Sequence, residues 1–518
     1  MPSAAGLPTL IERFLQPARY PHPVERVDLE ETHGAWVLLA GDFAYKIKKP
    51  VRYSFMDFGT LAQRRAACQA ELRLNARFAT SDPDSALYVD VCPIVGSVED
   101  PHWGEPGHDD ARAIEFAVRM HRFDSAQRLD HVCARGDLTH THISAFVQDW
   151  LVFQARAASA DTHDPRGEPS VGLHFARENF DTLLQAPLSA ALRHTAQRLQ
   201  RHTETRHRTL QPLLETRRAQ GRVREGHGDL HLGNLVLLGE RILAFDAIEF
   251  NEALRWVDVA SDLAFLWMDL IAREQAGLAN WLLSEYFDAS GDSDAAEVWT
   301  HFATYRALVR AKVAALRATS ANDPSADLTA CQRYIELAAQ IAWPSSPRLI
   351  ITHGLSGSGK SRMARQHLLS NTTEPTIRLR SDVERKRLFG LGPEARSGSG
   401  LNSGLYAPDA HVRTYTHLSQ RAAHLIDQGW SVLIDAAFLK RAERDAFAQL
   451  AAALGCPFHL LAREAPVAVL RERIERRLAK GRDPSEATVQ VLEQQLQTVE
   501  PLSDDERRHL INDPNAVD

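Results

Sequence analysis

The octapeptide GLSGSGKS, Gly354 to Ser361, constrains this chain more than any other stretch. It satisfies G-x-x-x-x-G-K-[ST], in which main-chain amides around Gly354, Gly357, Ser358 and Gly359 can cradle phosphates at a helix N-terminus. Lys360 can reach the β and γ phosphates, and the Ser361 hydroxyl can ligate magnesium. Such a loop must follow a buried strand, and RLIITHG, Arg348 to Gly354, is a short apolar run of the right length. The strand before a phosphate loop is usually the first of its sheet, yet this one begins well past the midpoint of 518 residues. A separate unit must come first.

The length agrees, since 518 residues exceed one ordinary core at about 150 residues per domain. AWPSSPR, Ala342 to Arg348, interrupts a helical pattern with prolines and serines. The chain therefore divides into residues 1–343, a linker at 344–347 and residues 348–518. Lys and Arg total 60 against 67 Asp and Glu, a formal net charge of -7 that does not favour a long nucleic acid as partner. The five cysteines, Cys68, Cys92, Cys133, Cys331 and Cys456, are scattered and form no C-x-x-C pair. That points to reduced thiols rather than a disulfide frame or a zinc site. The opening MPSAAGLPTLIERFLQPARY lacks the basic start and apolar core of a signal peptide, and no segment has the length to span a bilayer. A cytoplasmic protein without a membrane partner is expected.

Ahead of the seam, HGAWVLLAGDFAYKIKKPV alternates apolar and polar residues about a turn at Gly41-Asp42 and predicts a hairpin. FGTLAQRRAACQAELRLNARFA predicts an amphipathic helix and ALYVDVCPIVG a strand. The region from Ser125 to Leu214 reads as helical, with a loop at DTHDPRGEPSVG; strands return at NLVLLGERILAFDAIEF, and helices then run to the seam. ARSGSGLNSG, Ala395 to Gly404, is Gly/Ser-rich and is expected to form a mobile loop near a substrate.

The chemistry of the first region sits in GHGDLHLGNLVLLGERILAFDAIEF. Asp229 lies on a short loop, Asn234 follows five residues later, and a hairpin ends in Asp246. Phosphoryl transfer needs a carboxylate that takes or orients the acceptor hydroxyl, and oxygen ligands for magnesium. The spacing from Asp229 to Asn234 is that of the H-R-D-x-x-x-x-N loop of protein kinases, with Gly228 replacing the arginine. HGDLHLGN followed by FDAIEF closely resembles the catalytic and metal loops of aminoglycoside phosphotransferases. The resemblance implies Asp229 as catalytic base and Asn234 and Asp246 as magnesium ligands, with Asp258 and Asp262 bracing the site from a following helix. His227 and His231 stand four apart but lack the H-E-x-x-H glutamate, which argues against zinc.

A kinase-like site also needs a strand lysine held by a helix glutamate. In FAYKIKKP, Ala44, Lys46 and Lys48 share one strand face. Ala44-Tyr45-Lys46 overlays the A-I-K of V-A-I-K, making Lys46 the phosphate lysine, Lys48 the alternative and Glu71 the partner. No G-x-G-x-x-G precedes Lys46; ETHGAWV supplies one glycine there. By fold analogy IEFAVRMHRF, Ile114 to Phe123, connects the two lobes and offers main chain to adenine.

After the phosphate loop, TIRLRSDVERKRLFG places Ser381, Asp382 and Arg385 at a strand end, and GWSVLIDAAFLKRAERDAF is a buried strand ending in Asp435. Strand ends beside a phosphate loop face the site in an open parallel sheet. This order resembles small P-loop kinases, notably polynucleotide 5′-kinases and zeta-toxin-like phosphotransferases. The resemblance implies Asp382 as base, Arg385 and Arg444 near substrate, and Asp435 supporting the metal. LRERIERRLAKGRDPSEA carries six basic residues against two acids between Arg471 and Arg482. Such a run is usually a solvated helix face, but in small P-loop kinases it forms a lid, with Arg473, Arg477 and Arg482 as members here.

The whole arrangement resembles the bacterial family of bifunctional aminoglycoside phosphotransferase and ATP-binding proteins. It implies an α+β, protein-kinase-like, two-lobed domain (N-lobe about 20–120, C-lobe about 121–343) followed by an α/β P-loop domain with a parallel sheet. The expected function is ATP- and Mg2+-dependent transfer of the γ-phosphate to a hydroxyl at each of two sites. The acceptors would be small molecules (sugar, nucleoside or aminoglycoside-like) or a nucleic-acid 5′ end. The rival reading is an ATP-binding regulatory or toxin-neutralising protein with one catalytic domain or none.

Overall fold

The computed structural model describes residues 7–53, 56–78, 86–161, 164–320, 323–371, 374–393, 395, 405, 407–480 and 485–511. Two compact units result: one holds the chain up to Phe175 together with Leu210–Leu266, the other Ala176–Thr209 and everything from Trp267 onward.

In the first unit, Val27–Glu31 (β1), Ala35–Ala40 (β2), Phe43–Lys48 (β3), Tyr88–Gly96 (β4), Pro101–Trp103 (β5) and Glu115–His121 (β6) form one antiparallel sheet. Its order is β1-β2-β3-β6-β4-β5. The turn at Gly41-Asp42 joins β2 to β3, as the alternation predicts, with Gly41 at φ 57°. Strand periodicity sends alternate side chains to opposite faces, and each face has its own core. Tyr45 and Ile47 pack with Leu38, Ile94 and the helix Thr9–Phe14 (α1). Ala44, Val118 and Met120 pack with Cys68 of the helix Leu61–Ala76 (α2). Thr60 and Gln63 form a reciprocal capping box that fixes where α2 starts.

The segment Ile114–Phe123, expected to connect the two lobes, is largely strand. Residues 115–121 are the central strand β6, hydrogen-bonded to β3 and β4, so this stretch of main chain is committed to the sheet. Its continuous run of buried residues, Glu115 to Val118, is that of an interior strand.

The rest of the unit supplies the helix His140–Arg156 (α3), a strand Val223–Glu225 (β7), the hairpin Leu235–Leu238 (β8) and Arg241–Ala244 (β9), and Trp256–Asp258 (β10), paired with β7. The helix Val259–Ala272 (α4) follows.

In the second unit, helices Ala276–Ser290 (α5), Ala295–Ser320 (α6) and Ser325–Ala342 (α7) precede a four-stranded parallel sheet. Its strands are Leu349–His353 (β11), Thr376–Arg380 (β12), Ser431–Asp435 (β13) and Phe458–Ala462 (β14), in the order β12-β13-β11-β14. Helices Lys360–Ser370 (α8), Ser381–Leu388 (α9), Pro408–Asp427 (α10), Arg441–Ala453 (α11), Val467–Lys480 (α12) and Val489–Thr498 (α13) complete the α/β fold. Both β11 and β13 are buried along their whole length, as expected of parallel strands covered on two faces.

The seam at 344–347 lies inside this unit because α5 docks on the sheet beyond it. Gly277 permits the approach, since a Cβ there would stand 2.0 Å from the Leu369 carbonyl oxygen. Asn280 accepts the Thr376 amide at 3.0 Å and donates to Glu374 O at 3.2 Å. The buried Arg378 of β12 reaches Asp288 at 3.1 Å and Glu285 at 3.6 Å. Among the described residues no helix is long and apolar enough to cross a membrane.

Candidate functional site

The first constellation assembles within the first unit from three separated pieces of chain. Strand β3 presents Lys46 and Lys48 toward α2, where Glu71 is fully buried. Lys46 Nζ donates to Glu71 Oε1 at 2.8 Å and also to Asp246 Oδ1. Lys46 is thus the lysine that reaches the expected metal aspartate, whereas Lys48 pairs with Glu71 Oε2 at 2.5 Å and with Glu249. Burial works against the charge on both lysines, but the surrounding carboxylates outweigh it and raise both pKa values. Burial likewise opposes ionisation of Glu71, and the two ammonium groups overcome it, holding the carboxyl well below its usual range. At Glu249 burial wins over Lys48 and pushes the carboxyl up.

The aspartate loop is built largely on main-chain hydrogen bonds. Gly228, where protein kinases carry arginine, has φ 86°, and a Cβ there would stand 2.9 Å from Leu254 O. Only glycine fits this left-handed, crowded position. Asp262 of α4 accepts the amides of His227 at 2.7 Å and Gly228 at 3.0 Å, so it braces the loop as the resemblance implies. Asp258 lies on β10 and pairs with the buried Arg217 at 2.7 and 2.8 Å, which holds the strand rather than the loop.

His227 is buried, and burial lowers its pKa, so the ring is neutral. Its Nε2–H donates to Phe245 O at 2.9 Å, leaving Nδ1 to accept the Asp229 amide at 3.2 Å. This neutral histidine sets the height of Asp229, a role the sequence did not reveal. Asn234 donates its amide to Asp229 O and Oδ2, both at 3.0 Å, leaving its side-chain oxygen for a cation. The Phe245 amide donates to Asn234 O at 3.0 Å, which brings Asn234 beside the Asp246 segment.

Asp246 adopts φ 61°, an uncommon conformation for a residue with a side chain. Two contacts fix it: the Tyr88 hydroxyl accepts the Asp246 amide at 3.1 Å, and Asn75 accepts the Ala247 amide at 3.0 Å. Tyr88, Asn75 and Glu249 are further site residues that sequence reading missed. Among the described residues no group of three or more His, Cys, Asp and Glu side chains could hold a metal. Asn234 and Asp246, the two residues expected to hold magnesium, both carry side-chain oxygens, the donor type that cation takes.

The second constellation lies in the second unit, at the carboxyl ends of β11, β12 and β13. Gly357, Gly359, Lys360, Ser361, Asp382, Arg385, Asp435, Arg473 and Arg477 line one cavity of about 610 Å³. Gly359, at φ 97°, opens α8, so the first-turn amides point into the loop. Gly354 precedes the loop at φ 147°. Lys360 Nζ donates to Leu355 O at 2.8 Å. Its desolvated position lowers its pKa to about 8, only partly offset by Asp435 and Asp382.

The Ser361 hydroxyl donates to Asp435 Oδ1 at 3.1 Å. Asp435 Oδ2 and the Ser358 hydroxyl are buried without a hydrogen-bond partner, a donor set that suits a cation and a phosphate. Asp382 Oδ1 receives Arg385 at 3.3 Å. Arg473 of α12 lies over the loop, donating to Gly357 O at 3.4 Å and Ser358 O at 3.3 Å, and Arg477 donates to Ala487 O at 2.7 Å.

Arg444 stands apart from this group. It is buried in α11, pairs with Glu506 at 2.5 Å and donates to the carbonyl oxygens of Phe438, Leu439, Glu500 and Pro501, and it does not line the cavity. Arg482 and nearly all of the Ala395–Gly404 loop lie outside the described residues.

Residues 349–502 match the model of a family described as an AAA domain. An uncharacterized protein of Mycobacterium tuberculosis strain H37Rv is 29% identical over 473 residues, covering 91% of this chain and 90% of that protein. Among solved structures, a thermostable mutant of aminoglycoside phosphotransferase APH(4)-Ia, apo form, shares 11% identity at a TM-score of 0.38, over 65% of this chain and 99% of that one. A chain of the Pnkp1/Rnl/Hen1 RNA repair complex aligns at 20% identity and a TM-score of 0.24 over 30% of this chain, which spans only 45% of that chain. The protein joins a unit built on a six-stranded antiparallel sheet to a P-loop domain with a four-stranded parallel sheet.

Proposed function

We propose that the protein is an ATP-dependent phosphotransferase with two nucleotide sites, each passing a γ-phosphate to a hydroxyl. The observation that carries this reading is the convergence on Lys46: a strand lysine, a buried helix glutamate and the strained Asp246 form one ion-pair chain. In the first site Lys46 holds phosphate oxygens, Asn234 and Asp246 hold magnesium, and Asp229 takes the proton of the attacking hydroxyl. In the second, the loop amides and Lys360 hold the phosphates, Ser361 and Asp435 hold the metal, Asp382 receives the hydroxyl proton, and Arg385, Arg473 and Arg477 face the transferring group. Magnesium held by these residues would supply positive charge to offset that of the phosphates.

The acceptor fitting both sites is a small hydroxyl compound; at the second, a nucleic-acid 5′ end also suits the arginines.

Asp229→Asn and Lys360→Ala, assayed separately for ATP turnover and phosphate transfer to sugars, nucleosides and 5′-hydroxyl oligonucleotides, test the proposal. Each variant should lose one activity and keep the other. Wild-type turnover by both variants on every accepted substrate would exclude two sites.

A further inference from the structure

The kinase-like site buries more charge than holding a phosphate requires. Glu71 divides its carboxylate between two lysines of the same strand, Oε1 to Lys46 at 2.8 Å and Oε2 to Lys48 at 2.5 Å. Lys48 is 2% exposed and turns its remaining side to Glu249, which is 6% exposed and lies three residues beyond Asp246. The Lys48–Glu249 pair therefore ties strand β3 and helix α2 to the chain just behind the metal aspartate. Desolvating such a pair is costly, and it is weak evidence for stability alone.

The position of the pair suggests what it does. In the resting arrangement Lys46 is shared by Glu71 and Asp246. Phosphoryl transfer in this site requires Asp246 to turn from Lys46 toward the nucleotide, so Glu71 must keep Lys46 in place while that second carboxylate leaves. Lys48 is buried away from any such exchange, and its two carboxylate partners keep it protonated against the effect of burial.

We propose that Lys48 and Glu249 are positioning residues: they clamp the second carboxylate oxygen of Glu71, so that Lys46 is aimed while Asp246 is released. The proposal rests on the phosphotransferase reading of the first site. It predicts a helix α2 held in its working position before nucleotide arrives.

The test uses the full chain carrying Lys360→Ala, so that only the first site turns over. Into it are placed Lys48→Arg, Glu249→Gln and the charge-balanced double variant Lys48→Met with Glu249→Leu. The double variant should raise KM for ATP and lower kcat/KM about 10- to 100-fold, the usual scale for lost support of a ligating group. Lys48→Arg should recover most of that loss. Amide hydrogen exchange across Arg64–Asn75 should quicken in the double variant and stay at the parent level in Lys46→Met. If the double variant does not fold, Glu249→Gln, which keeps the shape, should show the same shifts in smaller measure.

Parent values of KM, kcat/KM and exchange in these variants would overturn the clamp. If the Lys360→Ala parent shows no Asp229-dependent turnover, the reading of the first site fails on its own. Hydrogen exchange alone then decides the clamp: loss of protection in the double variant supports it, and unchanged protection overturns it.

Discussion

Lys360 is the residue at which burial and function pull hardest against each other. Its pKa falls from an ordinary 10.5 to about 8 because the folded loop desolvates the ammonium. Between those values the unfolded chain carries the extra proton, so this group makes the nucleotide-free protein more stable as pH rises through that window; below it the penalty is present in full. Nucleotide phosphates reverse the preference, because they need the charged form. Affinity at the second site should therefore weaken as pH rises through about 8, and Lys360→Met should bind weakly with a flatter profile. Calorimetric titration in the Asp229→Asn background measures this. The loop was fully legible because its residues are contiguous and each has a fixed task. Arg444 was not: near a cleft in sequence order, it proves to be surrounded by Glu506 and carbonyl oxygens from chain segments far downstream.

At the scale of an element, α2 fastens the first site. Glu71 holds two lysines, and Asn75 accepts the Ala247 amide. Arg73 makes paired bonds to Glu225 at 2.9 Å, and Arg77 donates to Gly226 O at 3.0 Å, directly ahead of the aspartate loop. Asn75→Leu should leave the buried Ala247 amide unpaired and destabilise the first unit by about 1–3 kcal/mol. A urea midpoint reads that cost, and first-site turnover should fall while nucleotide binding to the P-loop is unchanged. Apolar spacing announced α2, and the kinase pattern singled out Glu71. Asn75 and Glu249 gave no signal, because a polar residue on a helix or after a hairpin looks solvated until its partner, 172 or 201 residues away in sequence, is brought to it. The same limit hid β6, whose two neighbours are β3 and β4.

For the molecule as a whole, the two fold classes were readable because each is marked by a compact motif with its strand, turn and helix in order. The dependence of the parallel sheet on α5 was not, since it rests on Gly277, Asn280 and Arg378 meeting across the proline seam. A fragment beginning at Arg348 would expose the buried Arg378 and unpair the Thr376 amide, whereas one beginning at Gln275 retains their partners. The longer fragment should be the more soluble and melt higher, and unfolding scans of the two compare them directly. Close docking of α5 also bears on how such a chain can be recombined. Transferred to a new host protein at the linker, the phosphate-binding half would arrive without one wall. To travel as a module, it must bring that helix or find a substitute.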